Sequence, residues 1–289
     1  MRNDASWAEI GFMQGRLSPM IDGKIQAFPW PYWRREFALA TEHGFSLMEW
    51  TLDQDRLYEN PLMTVEGRRE IGQLCEKHGV KVGSLTGDCF MQAPFHKASG
   101  LLRKQLLDDL EKVVESCADL GITRIVMPLE DNGRLENQFQ EENLMQGLSR
   151  LVGILRDLQG NLLFESDYAP EFLAKFIRQL DPNLFGINYD IGNSASRGYN
   201  VKVEMASYGD RIRNVHVKDR KFHGATIPLG EGNADTPAVL QALKGVGYPG
   251  PYILQTARAV DGDHVGVLCR YRDMVAGWLR DLEADEPGT

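Results

Sequence analysis

The sequence predicts a single-domain (β/α)8 TIM barrel that spans the whole chain, residues 1–289. The first observation is that short runs rich in apolar and β-branched residues alternate with longer amphipathic stretches, which is typical of repeated βα units and a parallel sheet. The second is the number of units, because eight of them in 289 residues give a repeat of about 36, a suitable size for this barrel. The third is that no GxGxxG turn follows the first strand, which disfavours a doubly wound open sheet.

Eight strands are predicted from the short runs, at residues 10–18, 46–51, 81–88, 124–131, 161–167, 184–193, 212–220 and 251–258. Helices are predicted at residues 33–44, 64–79, 99–121, 138–158, 169–180, 199–209, 235–247 and 264–284. Three of them end at Gly44, Gly79 and Gly121, and glycine is the residue best able to adopt the left-handed conformation that closes a helix. Residues 1–8 and 284–289 are predicted to be flexible ends.

The segment of residues 18–33, directly after the first strand, is unusually aromatic and contains Trp30 and Trp33. In a barrel, loops at this end of a strand cover the substrate site. Two interpretations remain open, because these rings can cover a substrate or can pack under the first helix.

Composition and charge restrict the kinds of partner. An apolar content of 43% supports a large core, and a net charge of −9 argues against a protein that mainly binds nucleic acid or an acidic membrane. The four cysteines are widely spaced without a CxxC pair, which is typical of reduced thiols. The sequence shows neither a secretory h-region nor a run of about 18 apolar residues. We therefore expect a cytoplasmic protein that acts on a small molecule, with no nucleic-acid or membrane partner; homo-oligomerisation stays open.

The last four predicted strands each carry, near the carboxyl end, a polar side chain that is compatible with a metal ion: Glu165, Asp190, His216 and Gln255. Taken alone, a carboxylate at a strand end is more often a helix N-cap than a ligand. In a barrel, however, these ends meet at one rim, where an inward polar group is costly to bury unless it binds something. The pattern therefore predicts a site for one divalent ion.

The chain resembles the xylose isomerase-like TIM barrels, the superfamily of sugar and sugar-phosphate isomerases and epimerases, over essentially its whole length. The resemblance is carried by the motifs GFMQGRLSP, MEW, FES, YDIGN, HVKDR and PLGEGNAD. It implies one divalent ion, most often Mn²⁺ with Zn²⁺, Co²⁺ or Mg²⁺ as alternatives, held by a Glu, an Asp, a His and a final Glu. The first three correspond to Glu165, Asp190 and His216, whereas Gln255 stands at the fourth position. An amide oxygen can act as a ligand but brings no charge, so we expect weaker metal binding.

Further polar residues near the predicted rim are candidates for substrate binding: Gln14, Arg16, Glu49, Trp50, Asp88, Glu130, Asn193, Arg220 and Arg258. The resemblance implies that Glu49 contacts substrate hydroxyls, although a structural role remains open. Arg16 can instead hold the loop that follows it. Lys218 and Arg220 belong to a basic cluster that suits a phosphate or carboxylate, or a solvated face.

The function implied by the resemblance is that of an isomerase or epimerase of a small sugar or sugar phosphate. Such an enzyme removes a proton next to a carbonyl group and forms an enediolate. The resemblance assigns Glu165 as ligand and base, and Lys218 is a candidate for proton delivery from the opposite face if its pKa is lowered. The sugar, its phosphorylation and the choice between isomerase and epimerase are left open.

Three other functions compete with this one. A metal-dependent dehydratase or aldolase acting on a related keto acid would use similar residues, and a catalytically degenerate sugar-binding barrel would have lost its chemistry through Gln255. Apurinic-site endonucleases share the fold but need several more histidines at strand ends, and Asn193 stands where the second histidine of their DxxH motif would be.

Overall fold

The barrel strands follow the predicted alternation with helices. The computed structural model of the protein describes residues 9–284. Its strands are β1 (Ile10–Met13), β2 (Leu47–Thr51), β3 (Lys81–Thr86), β4 (Arg124–Leu129), β5 (Asn161–Ser166), β6 (Phe185–Asp190), β7 (Ile212–Val217), β8 (Asp219–Arg220), β9 (Thr226–Ile227) and β10 (Tyr252–Leu254).

Eight of these strands form a closed parallel barrel in the order β1-β10-β7-β6-β5-β4-β3-β2. Closure is made by β1, which pairs in parallel with β10 on one side and with β2 on the other. The strands are buried almost throughout because the lumen covers one face and the helices cover the other. The prediction of a (β/α)8 barrel is confirmed, and the open-sheet alternative is wrong.

The helices surround this barrel. They are α1 (Trp33–Glu42), α2 (Val65–His78), α3 (Asp88–Gln92), α4 (Gly100–Leu120), α5 (Gln138–Leu148), α6 (Val152–Leu158), α7 (Pro170–Ile177), α8 (Ile191–Arg197), α9 (Val201–Tyr208), α10 (Thr236–Gly245) and α11 (His264–Ala284). Gly44, Gly79 and Gly121 follow α1, α2 and α4 with φ of 75°, 64° and 68°, the left-handed conformation expected there.

Several strands end earlier than predicted. The run 184–193 leaves the sheet at Asp190, because the Asp190 side chain accepts a hydrogen bond from the Asn193 backbone N–H at 2.7 Å and starts α8. The first strand ends at Met13, so Gln14 and Arg16 lie in a turn and not on one face of a strand. Both α3 and α8 were missed, since a helix of five to seven residues leaves too short a periodic pattern to be recognised.

The aromatic segment before α1 packs inward. Phe28 and Trp33 are almost fully buried, and both rings lie against Trp50 of β2 on the outer face of the barrel. Trp30 is half-buried, with the Arg56 guanidinium 3.8 Å from its ring centroid. For Phe28 and Trp33 these contacts agree with the interpretation that the rings pack under the first helix.

No helix within residues 9–284 is long and apolar enough to cross a membrane. The predicted flexible ends, residues 1–8 and 284–289, lie outside the described residues except for Ala284, which is the last residue of α11.

Candidate active site

Three predicted ligands converge at the carboxyl ends of neighbouring strands. Glu165 of β5, Asp190 of β6 and His216 of β7 each offer a ligand atom, and these atoms all lie within 4.8 Å of one another. All three side chains are buried. One imidazole nitrogen and two carboxylate oxygens form a ligand set suited to Zn²⁺, Mn²⁺ and related ions. Oδ2 of Asp190 is buried and pairs with Nζ of Lys218 at 2.6 Å, so the chemistry of the three ligand side chains is the observation that fits an ion.

His216 is held from below by Glu49. Its Nε2 lies 2.7 Å from Oε1 of Glu49, while Nδ1 lies 3.0 Å from Oε2 of Glu165. Glu49 is fully buried in the lumen and also accepts hydrogen bonds from Ser84 Oγ at 2.6 Å and Asn214 Nδ2 at 3.0 Å. Burial acts to lower the pKa of His216, but Glu49 and Glu165 outweigh it and raise the pKa to about 10. Glu49 therefore lies under His216 and supports it, and its carboxylate is occupied by protein donors.

Lys218 lies beside Asp190 at the end of β7. Its Nζ is 2.6 Å from Oδ2 of Asp190 and donates to Oε1 of Gln255 at 2.9 Å. Burial acts to lower the pKa of Lys218, but Asp190, Glu165 and Glu130 together raise it. The direction is opposite to the lowered pKa that the sequence-based mechanism required. At neutral pH Lys218 is consequently an ammonium group, able to donate a proton and unable to accept one.

Glu130 and Asn193 adjoin the same carboxylates. Asn193 Nδ2 donates to Oε1 of Glu165 at 2.8 Å and to the two oxygens of Glu130 at 3.1 and 3.0 Å. Burial, and then the Glu165 charge, raise the pKa of Glu130 well above its usual value, while Lys218 opposes the rise. Arg220 donates from Nη1 to Oδ1 of Asn193 at 2.7 Å. The structure thus brings Glu130, Asn193 and Arg220 to the site.

Asp88 reaches the rim through Gln26, a residue that the sequence analysis missed. Nε2 of Gln26 donates to Oδ2 of Asp88 at 2.6 Å, and Oε1 of Gln26 accepts from Nε2 of Gln255 at 2.9 Å. Burial is the main cause that raises the pKa of Asp88 to about 7; the Gln26 hydrogen bond opposes it. The only sequence signal for Gln26 was its place in the loop after β1.

Asn188 and Asn214 were also missed. They lie two residues before Asp190 and His216, so the strand period of two places them on the same inward face. Asn188 Nδ2 donates to Oε2 of Glu165 at 2.6 Å, and Asn214 Nδ2 donates to Oδ1 of Asn188 at 2.8 Å. Alternation along the strands was a signal that could have identified both residues.

Four predicted substrate residues are not brought to this group. Trp50 packs outside the barrel and donates from its indole N–H to Asn60. Gln14 is buried and accepts from the Thr51 backbone N–H. Arg16 and Arg258 hold the loop after β1 by donating to its carbonyl oxygens. Arg16 donates to Ile25, which agrees with the alternative role that the sequence left open for it. Arg258 donates to Gly15 and Ser18.

A sequence model of the family described as xylose isomerase-like TIM barrel matches residues 37–281 of the chain. The chain belongs to this family. The family resemblance inferred from the motifs is therefore confirmed.

Individual relatives agree with the family. An L-ribulose-5-phosphate 3-epimerase of Escherichia coli is 27% identical over 259 residues, which cover 84% of this chain and 88% of the relative. Its name denotes an isomerase-class enzyme, and the expectation of that class is confirmed. Among solved structures, a xylose isomerase domain protein from Planctomyces limnophilus matches 96% of this chain and 99% of its own, with a TM-score of 0.73 and 14% identity. A protein called IOLI, solved with a zinc atom, matches 93% of this chain and 99% of its own, with a TM-score of 0.72 and 15% identity. At these identities the two structures show the shared fold alone.

Proposed function

We propose that the protein is a divalent-metal-dependent isomerase or epimerase of a small sugar or sugar phosphate. The observation that carries the proposal is the convergence of Glu165, Asp190 and His216 at the barrel rim. The names of the relatives favour a ketose phosphate as substrate and epimerisation at carbon 3 as the reaction. The unpaired cysteines, all four of which lie within residues 9–284, are compatible with a cytoplasmic location.

Glu165, Asp190 and His216 would hold the ion, for which Mn²⁺ is the first candidate. When bound, the ion would stabilise negative charge that develops on the substrate oxygens. Position 255 offers a neutral amide oxygen, which is a weaker ligand than a carboxylate. That oxygen is already an acceptor for Lys218, so we assign the ion to the other three residues.

Proton transfer is assigned to Glu165 and Lys218. In the metal-free protein the charges of His216 and Lys218 overcome the burial of Glu165 and lower its pKa, so its carboxylate is ionised. An ion held by His216 would take the place of the ring proton and would keep Glu165 ionised, so this carboxylate can accept the proton from the carbon next to the carbonyl. Lys218 carries a proton that it can deliver to the other face of the enediolate. Glu130 and Asn193 line the rim beside Glu165 and would orient substrate hydroxyls. A carboxylate base with an ammonium acid suits an epimerase that lacks a glutamate at position 255.

Metal binding makes the first testable prediction. Added Mn²⁺ should stabilise the metal-free protein by RT ln(1 + [L]/Kd), about 2.7 kcal/mol at a hundredfold excess over Kd. The stabilisation is measured as a rise in melting temperature, and Asp190→Asn should remove most of it because one charged ligand is lost. Asp210→Asn, on the exposed turn before β7, is the control and should keep the full rise. A melting temperature that responds to no divalent ion would contradict the metal site.

Turnover in D₂O tests the reaction. We expect the metal-loaded protein to incorporate deuterium into one or more members of a panel of pentuloses, hexuloses and their phosphates, with L-ribulose 5-phosphate tested first. Lys218→Met should reduce epimerisation by about 10²-fold or more while proton exchange by Glu165 continues, because the opposite-face donor is lost. Substrate binding without exchange for every sugar would favour a sugar-binding barrel instead.

A further inference from the structure

Four side chains form a continuous hydrogen-bonded row across the mouth of the barrel. Nζ of Lys218 donates to Oε1 of Gln255 at 2.9 Å, and Nε2 of Gln255 donates to Oε1 of Gln26 at 2.9 Å. Nε2 of Gln26 then donates to Oδ2 of Asp88 at 2.6 Å. We call these four residues the mouth row. It connects the carboxyl ends of β7, β10 and β3 with the loop between β1 and α1.

The two end residues of the mouth row, Lys218 and Asp88, fix the direction in which its hydrogen bonds are donated. An ammonium group has donors and no acceptor, whereas an ionised carboxylate has acceptors and no donor. Between them, each amide must turn its oxygen toward Lys218 and its nitrogen toward Asp88. The two glutamines satisfy every link of the row in this orientation.

A glutamate at position 255 would break the row. Its carboxylate could still accept from Lys218, but its second oxygen would face Oε1 of Gln26 without a hydrogen between them. If Gln26 turned its amide around, its oxygen would face the Asp88 carboxylate instead. One of the two links on either side of Gln26 is therefore lost with any carboxylate at position 255.

Gln26 belongs to a loop that covers the rim. Residues 22–25 are exposed, while the start of the loop is fixed by Glu36, which accepts hydrogen bonds from the backbone N–H groups of Gly15 at 2.7 Å and Leu17 at 3.1 Å. The far end is fixed by the Phe28 backbone N–H, which donates to Asp53 at 2.8 Å. Between these ends, Arg16 donates to the Ile25 carbonyl at 2.7 Å and to Oε1 of Gln26 at 3.4 Å. The contacts of Gln26 with Gln255 and Asp88 add to these bonds and draw the middle of the loop toward the mouth.

We propose that Gln255 is a positioning residue: its amide oxygen holds the Lys218 ammonium group, and its amide nitrogen latches the loop of residues 19–27 through Gln26. This role replaces that of fourth metal ligand, which the sequence had predicted. The effect of the latch on Lys218 as an acid rests on the proposed function. The direction of the hydrogen bonds in the mouth row does not depend on the proposed function, so it can be tested without substrate.

The test is a rescue experiment on loop opening. Trypsin cleavage after the exposed Lys24 reports how often the loop leaves the mouth, and mass spectrometry gives its rate at pH 8, above the Asp88 pKa of about 7. We expect Gln255→Glu to accelerate cleavage about tenfold, since it sets two acceptors against each other. Asp88→Asn alone should change the rate less than about twofold, because an amide oxygen still accepts from Gln26.

The double variant Gln255→Glu with Asp88→Asn decides the matter. The new amide at position 88 can donate to Gln26, which then turns around and donates to the new carboxylate. Every link of the mouth row is then satisfied in the reversed sense, and only the long 3.4 Å contact from Arg16 Nη2 to Oε1 of Gln26 is lost. We expect its cleavage rate to return to within about threefold of wild type. Gln73→Glu, an exposed amide on α2, is the control for added charge and should leave the rate unchanged.

Two results would overturn the proposal: an unchanged rate in Gln255→Glu, or a double variant that is cleaved as fast as Gln255→Glu alone. If Gln255→Glu does not fold, Gln26→Met is the second variant. Gln26 is half-buried, and methionine at this position removes the hydrogen bonds to Gln255 and Asp88, so cleavage should accelerate to a similar degree. Slow cleavage in that variant would equally overturn the latch. A failed sugar screen, in contrast, would contradict the proposed function and leave the cleavage results standing.

Discussion

Replacing Glu165 by glutamine should abolish deuterium exchange at the carbon next to the substrate carbonyl. Glutamine has nearly the same size but cannot accept a proton, and the loss of a positioned base reduces rates by about 10²–10⁴-fold. The substitution also removes one charged ligand, so the Mn²⁺-induced rise in melting temperature should shrink. Exchange is measured by NMR in D₂O for isomerisation and for epimerisation, since either reaction begins with this proton.

The matched control is Glu171→Gln, which changes an exposed carboxylate at the start of α7. It should retain wild-type exchange and the full metal response. If Glu165→Gln exchanged deuterium at the wild-type rate, another base would have to act and the assignment of Glu165 would be wrong. Loss of exchange with an unchanged metal response would keep Glu165 as base and remove it from the ligand set.

Replacing Glu49 by leucine should be the most destabilising change at the site. Glu49 and His216 are both fully buried and lie 2.7 Å apart, so removing the carboxylate leaves Nε2 of the buried imidazole without its partner. Ser84 and Asn214 also lose their acceptor. Breaking a buried pair of this kind costs about 3–5 kcal/mol of unfolding free energy. Urea denaturation of the metal-free protein measures that loss.

Glu49 also holds the His216 ring, so its loss should weaken Mn²⁺ binding about 10–100-fold, as measured by titration calorimetry. Glu49→Gln keeps an acceptor for Nε2 of His216 and should show smaller losses of both stability and affinity. Glu76→Leu on the exposed side of α2 is the control and should change stability by less than about 0.5 kcal/mol. A Glu49→Leu protein as stable as wild type would show that Glu49 does not support His216.

Much of the site could be predicted because all strands of a parallel barrel run the same way, so their carboxyl ends lie on the same side. Glu165, Asp190 and His216 each stand near the end of an apolar run, and in a closed barrel all such ends meet at one rim. The same reasoning placed Glu130 and Asn193 close to them. It did not predict that Glu49 lies deeper in the lumen than these residues, since the depth of a side chain depends on the register between neighbouring strands. Glu49 lies beside Ser84 of β3, just after the irregularity in pairing between Met48 and Glu49.

Loop residues were the least predictable part. Gln26 reaches Asp88 and Gln255, which are 62 and 229 residues away in the chain, and no local pattern encodes such contacts. Arg258 likewise extends from the end of the last barrel strand to the carbonyl groups of Gly15 and Ser18. These contacts exist because closure of the barrel brings β10 beside β1.

The sequence by itself determined the eight βα units and their order, because hydrophobic periodicity and helix-ending glycines act over a few residues. The family was inferred separately, from the resemblance that the motifs carry. It also predicted the convergence of Glu165, Asp190 and His216, since strand direction alone brings these side chains to one rim. The tertiary structure decided the hydrogen-bond partners of Glu49, Gln26 and Gln255. Their roles depend on which donors and acceptors face each other across the closed barrel, and that choice is made by packing between residues far apart in the chain.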